Sequence, residues 1–441
     1  MSDRNSYDYF NFDNFDEGID SRDYRRRQPD RRRSSSYNMR PSYNRRPQNN
    51  RRRRRRRNRK RIRNRILIVT AGVLILAILI TLIAVMAKGC GKKPAAEGVS
   101  TETKPPVSTS AAVPTTQAAA TTKADKLSLT TFTPAQPRDD NTMGAESGAI
   151  YVWNSSGFEL FGGSEDSGQA YAETINQLAG KLNGIKVYSM IVPNHTEMGL
   201  PARLKTQVNT NSQADCMRAA YAAMDKTLVT PINPYNYLSE HCNEYIYFKS
   251  DHHWTGLGAY YAYNAFADAT GVPVLSLSDC TEQTIPGFTG SLTELAAGLD
   301  TDIVHYWQFP YQVKMDITAE GGLVQSYDSP YYDAEGSGSL SYGVFIYGDN
   351  PLTVMRSSSP NAQQGKKIAV IKESYGNAFV PYLTNNYEEV HVMDMRTFRN
   401  VSNSDFVTYC QNNGITDVLF LNGVMSASNQ TLLDSTTAMF N

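Results

Sequence analysis

The stretch Lys249-Ser250-Asp251-His252-His253-Trp254-Thr255 places two histidines directly after a carboxylate. Three chemistries fit it. As a metal site, Asp251, His252 and His253 would be ligands, but adjacent residues converge on one ion only where the backbone turns sharply. No HExxH-like helical spacing supports that reading. As a structural feature, Asp251 would cap the helix that follows, and the histidines would satisfy local hydrogen bonds. As a catalytic feature, Asp251 would orient His253, two positions on, as general base for a serine supplied from elsewhere. Composition and spacing leave the three open.

Such residues need rigid elements to hold them. Residues 186–192 (KVYSMIV) read as a buried strand, with helices expected over 166–182 and 212–228. Residues 255–269 read as a helix in spite of two glycines. In the C-terminal third, strands are expected over 367–371, 389–393 and 417–421, with helical segments over 377–383 and 405–412 between them. Strands alternating with helices imply a parallel sheet with helices on both faces. Sites in such sheets form in loops at the carboxyl ends of strands, where Ser374 and Asn422 both fall. Residues 275–352, rich in Gly, Ser, Tyr and Asp, read as β structure and loops, an insertion in the sheet pattern.

The run SDHHWTGLGAYYAY, residues 250–263, resembles the signature of the DHHW protein family. That family is similar to the SGNH-hydrolase-like proteins of bacterial exopolysaccharide O-acetylation, including the alginate acetylation proteins. The resemblance implies a D-x-H-W motif supplying acid and base of a Ser-His-Asp triad, with the serine later, in a G-D-S-like turn after a strand. The matching turn is residues 369–379, AVIKESYGNAF, although Lys372-Glu373 stands where Gly-Asp is expected. Other family-like pieces are Val192-Pro193-Asn194, Tyr342-Gly343-Val344-Phe345, Gly348-Asp349-Asn350 and Asp394-Met395-Arg396. The implied roles are Ser374 as nucleophile, His253 as base and Asp251 as its orienter. Backbone N–H groups near the following helix would suit an oxyanion. Candidate oxyanion or substrate residues are Asn422, Tyr375, His252, Arg396 as a fork for a substrate carboxylate, and Trp254 as a stacking surface for a sugar. No cofactor and no resident metal are expected.

Charge and hydropathy say where this chemistry would take place. The formal net charge of the 441 residues is +1, but residues 1–65 carry roughly +15 and the remainder roughly −14. Residues 66–87 (ILIVTAGVLILAILITLIAVMA) have no charge and no proline. About 20 apolar residues span a hydrocarbon core of about 30 Å, and the arginine-rich flank belongs on the cytoplasmic side. The run is too long and begins too far into the chain for a cleaved signal peptide.

Four parts are therefore expected. Residues 1–65 form a disordered basic cytoplasmic tail able to meet anionic lipid headgroups, residues 66–87 a single-pass transmembrane helix, residues 88–145 a Thr/Ala/Pro-rich stalk, and residues 146–441 an extracytoplasmic SGNH-like domain. An acidic outer domain is not built to bind nucleic acid. Cys216, Cys242, Cys280 and Cys410 lie where disulfides are permitted, and their spacings form no zinc pattern.

The function expected is a membrane-anchored serine O-acyltransferase or acetylesterase acting on an envelope or exported glycan. A transferase outside the membrane also needs a membrane-bound partner to deliver the acyl group. The alternative is a catalytically altered SGNH-like module that binds glycan or scaffolds an envelope assembly, which the Lys372-Glu373 departure and the 27 tyrosines keep open.

Overall fold

The computed structural model describes residues 122–332 and 338–441. The expected tail and membrane span lie outside them, as does most of the expected stalk. Among the described residues no helix is long and apolar enough to cross a membrane.

Eight strands form the central sheet, in the order β5-β4-β13-β11-β12-β10-β8-β9. Its parallel part is β5 (Thr230–Ile232), β4 (Lys186–Val192), β13 (Asp417–Gly423), β11 (Gln363–Lys372) and β12 (Tyr387–Asp394). The register pairs Lys372 with Leu421 and Gly423 with Val192, so three carboxyl ends finish side by side. All seven residues of β13 are buried, as expected of a strand covered on both faces.

The sheet is mixed, which corrects the expectation of a purely parallel one. β10 (Leu352–Ser357), β8 (Val313–Thr318) and β9 (Val324–Tyr327) add antiparallel to its β12 edge. The reason is local: β8 and β9 are joined by a tight turn through Gly321 and Gly322, both at positive φ. Short connections of this kind can link only antiparallel neighbours. The central Gly/Tyr-rich segment thus extends the main sheet. It also supplies a separate hairpin of β6 (Thr281–Phe288) and β7 (Asp302–Gln308).

Helices α1 (Glu165–Ala179), α2 (Gln213–Ala223), α3 (Gly256–Thr270), α4 (Gly376–Leu383) and α5 (Phe406–Asn413) lie close to the expected spans, and α6 (Gln430–Ala438) is a further helix for which no span was expected. Right-handed crossovers fix their faces. β4 to β5 and β12 to β13 step one way along the sheet and carry α2 and α5. β11 to β12 steps the other way, so α4 lies on the opposite face. Packing agrees, since α1 touches α2 and α6 whereas α3 touches α4.

A small antiparallel sheet of β1 (Ala145–Ser147), β2 (Ile150–Trp153) and β3 (Ser156–Glu159) precedes the main one. Part of the expected stalk belongs to this folded body. Asn236 accepts from the Thr133 N–H at 2.8 Å and donates to Thr131 O at 2.9 Å, and Phe132 is buried. The Thr/Ala/Pro composition carries no signal for this packing, because the partners that dock the segment, Asn233, Asn236, Ser239 and Asn243, come from about 100 residues further on. The four cysteines of the described residues are unpaired.

Candidate active site

The second half of β11, residues 368–371, is apolar and buried, and after Lys372 the chain breaks at Glu373-Ser374-Tyr375 into α4. From 121 residues earlier in the chain, the loop before α3 meets this turn. Ser374 Oγ lies 2.7 Å from His253 Nε2, and His253 Nδ1 lies 2.5 Å from Asp251 Oδ1. All three side chains are buried. Asp251 Oδ1 also accepts the His253 N–H at 3.0 Å, the short-range geometry that the two-residue spacing allows. Asp251, His252 and His253 do bring ligand-type atoms within 4.8 Å of one another. Yet the facing atoms of Asp251 and His253 are engaged with each other, and the outer nitrogen of His253 is engaged with the serine.

Apart from Tyr342, which lies in one of the family-like fragments, the support around this relay was not visible in the sequence. Ser291 donates to Asp251 Oδ2 from its N–H at 2.9 Å and from its hydroxyl at 3.1 Å. A Cβ on Gly290 would lie 2.2 Å from Asp251 Cβ, so only glycine lets this loop close over the carboxylate. Asp302 accepts the Lys249 N–H at 2.9 Å, the Ser250 N–H at 2.8 Å and the Ser250 hydroxyl at 2.5 Å, which holds the loop in shape. Tyr342 stacks on the His253 ring at 4.0 Å and donates to Ser374 O at 3.1 Å. Burial by itself would raise the Asp251 carboxyl. The charges of His253 and His252, with hydrogen bonds from His253 and the Ser291 N–H, outweigh that and hold it well below the usual carboxylate range.

The departure from Gly-Asp has a structural account. Lys372 is fully buried, and its Nζ reaches Asp349 at 2.5 Å and Asp394 at 3.2 Å. Arg396 bridges the same two carboxylates, at 2.8 Å and 2.7 Å. Burial pulls the Lys372 ammonium down, but the two aspartates more than compensate and raise it. Ile346 and Tyr347, both at positive φ, deliver Asp349, and backbone of that kind stores about 1–3 kcal/mol per residue. Glu373 in turn accepts the Tyr375 N–H at 3.0 Å and the Gly423 N–H at 2.7 Å. It ties the serine turn to the end of β13.

Not every expected site residue serves as expected. Trp254 is fully buried and donates to Tyr375 O at 2.9 Å, so it anchors the serine turn and offers no face to a sugar. Asn422 points away from the serine and accepts from Tyr171 on α1 at 3.2 Å, because its place in the pleat faces that helix. Arg396 borders the site, but its fork is taken up by Asp349 and Asp394. Tyr375 lines the site and donates to His252 O at 2.5 Å. His252 also lines it, with Nδ1 2.7 Å from Ser291 Oγ.

Ser374 opens into a cavity of about 930 Å³, counting its open mouth. Among the wall residues that were not anticipated are Glu159 at the end of β3 and Asn194, whose side chain caps the turn after β4. A hint existed for Asn194 in the Val192-Pro193-Asn194 fragment. No local pattern marks Glu159.

A Ser-His-Asp relay at the carboxyl ends of parallel strands, open to one cavity, defines an α/β protein with a buried, oriented serine. The profile of the DHHW protein family matches residues 134–393, and the chain belongs to that family. It is similar to a DHHW family protein from Eubacterium siraeum, with TM-score 0.59 and 27% identity over 67% of this chain and 97% of that one. It also resembles PatB1 of Bacillus cereus, seen with a sulfonyl adduct, with TM-score 0.52 and 19% identity over 64% and 98% of the two chains. The O-acetyltransferase domain of Pseudomonas putida AlgJ matches at TM-score 0.36 and 12% identity over 67% and 98%, too slight a likeness to carry weight. No curated protein matches the chain.

Proposed function

We propose that this protein is a serine O-acyltransferase or acetylesterase acting on envelope glycans, held at the membrane by residues 66–87 with the described domain outside. The observation that carries the reading is the relay itself, with 2.7 Å from Ser374 Oγ to His253 Nε2 and 2.5 Å from His253 Nδ1 to Asp251 Oδ1. Ser374 Oγ attacks the acyl carbonyl carbon as its proton passes to His253 Nε2. The tetrahedral intermediate collapses, and the leaving alcohol takes that proton. A sugar hydroxyl or water then attacks the acyl-serine, losing its proton to His253. The second tetrahedral intermediate collapses, the bond from the acyl carbon to Ser374 Oγ breaks, and Oγ takes that proton back from His253 Nε2. Asp251, kept ionised, balances the imidazolium formed in each half-reaction.

The Tyr375 and Gly423 N–H groups are occupied by Glu373, and Asn422 faces α1. The Ser374 N–H at the entry to α4 is therefore assigned as the oxyanion donor. The same occupancy is what favours the second reading, a module that binds glycan without turning it over. In the transferase form a membrane-bound partner delivers the acyl group, and the basic tail meets anionic headgroups on the inner side.

Acetate release from p-nitrophenyl acetate by the full-length protein in detergent tests the proposal. Ser374→Ala and His253→Ala are expected to lose at least about 10³-fold in kcat/KM while keeping the wild-type circular dichroism. Equal turnover in the variants and the wild type removes the triad, and a wild type without turnover leaves the binding-module reading.

A further inference from the structure

Glu159 is the last residue of β3, and its carbonyl oxygen is pinned by Asn194 Nδ2 at 3.2 Å and Thr196 Oγ1 at 2.5 Å. The residue is 6% exposed and lines the same cavity as Ser374. Its carboxyl has no hydrogen bond or ion pair with any described residue. A buried polar group without a partner is unfavourable unless something else supplies one.

Glu373 and Arg396, the other carboxylate and the guanidinium on the cavity wall, are committed, and His252 is engaged at one ring nitrogen. Glu373 accepts two backbone N–H groups, His252 meets Ser291, and Arg396 bridges two aspartates. Of the wall's two carboxylates and its guanidinium, only Glu159 therefore keeps spare hydrogen-bonding capacity. Burial pushes that acid up to about 7; His252 opposes the shift, whereas Asp251 and Glu373 reinforce it. Near neutral pH it can donate to a sugar oxygen when protonated and accept from a hydroxyl or amine when ionised. A sugar carboxylate would instead meet Glu159 and Glu373, while the Arg396 guanidinium is already shared by Asp349 and Asp394.

We propose that Glu159 is the acceptor-binding group of this cavity, taking a hydroxyl or amine of an uncharged or amine-bearing sugar and turning away uronate sugars. Only the choice of a glycan as ligand rests on the acyl-transfer reading above. Glu159 binds and positions, and it is assigned no bond-making step.

The test is equilibrium binding at pH 7 to full-length Ser374→Ala protein in detergent, which needs no turnover. The probes are an N-acetylglucosamine tetramer, its de-N-acetylated amine form and a galacturonate tetramer. The uncharged or the amine probe is expected to bind at least about tenfold tighter than the uronate. Adding Glu159→Gln is expected to bring the ratio under about threefold, by weakening the amine probe and admitting the uronate. Glu159→Asp keeps the charge but withdraws it by a methylene. It is expected to weaken the favoured probe while uronate stays excluded, and it stands in if the glutamine variant does not fold.

Uronate binding as tight as the other probes, a ratio unmoved by Glu159→Gln, or no binding of any probe overturns the proposal. Loss of p-nitrophenyl acetate turnover by the wild type counts against the acyl-transfer reading alone, since the binding ratio is measured without it.

Discussion

Replacing Glu159 with glutamine should make the protein more stable, and by an amount that depends on pH. The carboxyl is buried, and its pKa stands at about 7 against 4.5 for an ordinary glutamate. Below pH 4.5 folded and unfolded chains both hold the proton, and the group has no effect. Between 4.5 and 7 the unfolded chain ionises while the folded one stays neutral, so stability falls as pH rises. Above 7 the penalty is complete. Each pH unit crossed in that window costs about 1.4 kcal/mol, which makes the penalty about 1 kcal/mol at pH 5 and about 3 kcal/mol at pH 8.5. Glutamine matches the shape and cannot ionise, so Glu159→Gln should gain about those amounts over the wild type. Urea unfolding followed by tryptophan fluorescence at the two pH values measures the gap. A gap that does not widen with pH, or a variant less stable at pH 8.5, refutes both the raised pKa and the view of Glu159 as an unpaired buried acid. If the gap does widen, the protein carries a destabilising acid in its cavity wall at neutral pH, as expected where a binding group is held against folding stability.

Asp251→Asn should leave the fold intact and lower kcat for p-nitrophenyl acetate by about 10⁴-fold with little change in KM, because the imidazole loses its orienting charge. A loss under about tenfold would mean that His253 is held mainly by Tyr342. Lys372→Met removes the buried cation shared by Asp349 and Asp394 and should destabilise the domain by about 3–5 kcal/mol in urea unfolding. A change under about 1 kcal/mol would show that Arg396 alone neutralises the pair. Gly290→Ala should lower turnover without unfolding the protein, since a Cβ there lies 2.2 Å from Asp251 Cβ and must move the Ser291 donors away; unchanged kinetics would show that the loop gives way without disturbing the relay.

The sequence alone carried the elements and the chemistry that depend on near neighbours. Residues 186–192 are uniformly apolar after the first lysine apart from one serine, and they form the strand over the same span. The Asp251–His253 contact was legible because a carboxylate can reach an imidazole two residues on. Ser374 was legible because an apolar strand breaks beside it, although its role came from resemblance to a family. Tertiary structure decided what depends on distant pairing. A two-residue period in β13 gives no hint whether Asn422 faces the cavity or α1, and the packing of α1 settles it. Arg396 reads from sequence as a substrate fork or, more safely, as an ion pair, and Asp349, arriving from 47 residues away, makes it the ion pair. Trp254 could have been a stacking surface until α3 and α4 enclosed it. Glu159 has no motif around it, and only the closing of β3 against the carboxyl end of β4 turns an ordinary strand-end glutamate into a buried acid beside the serine.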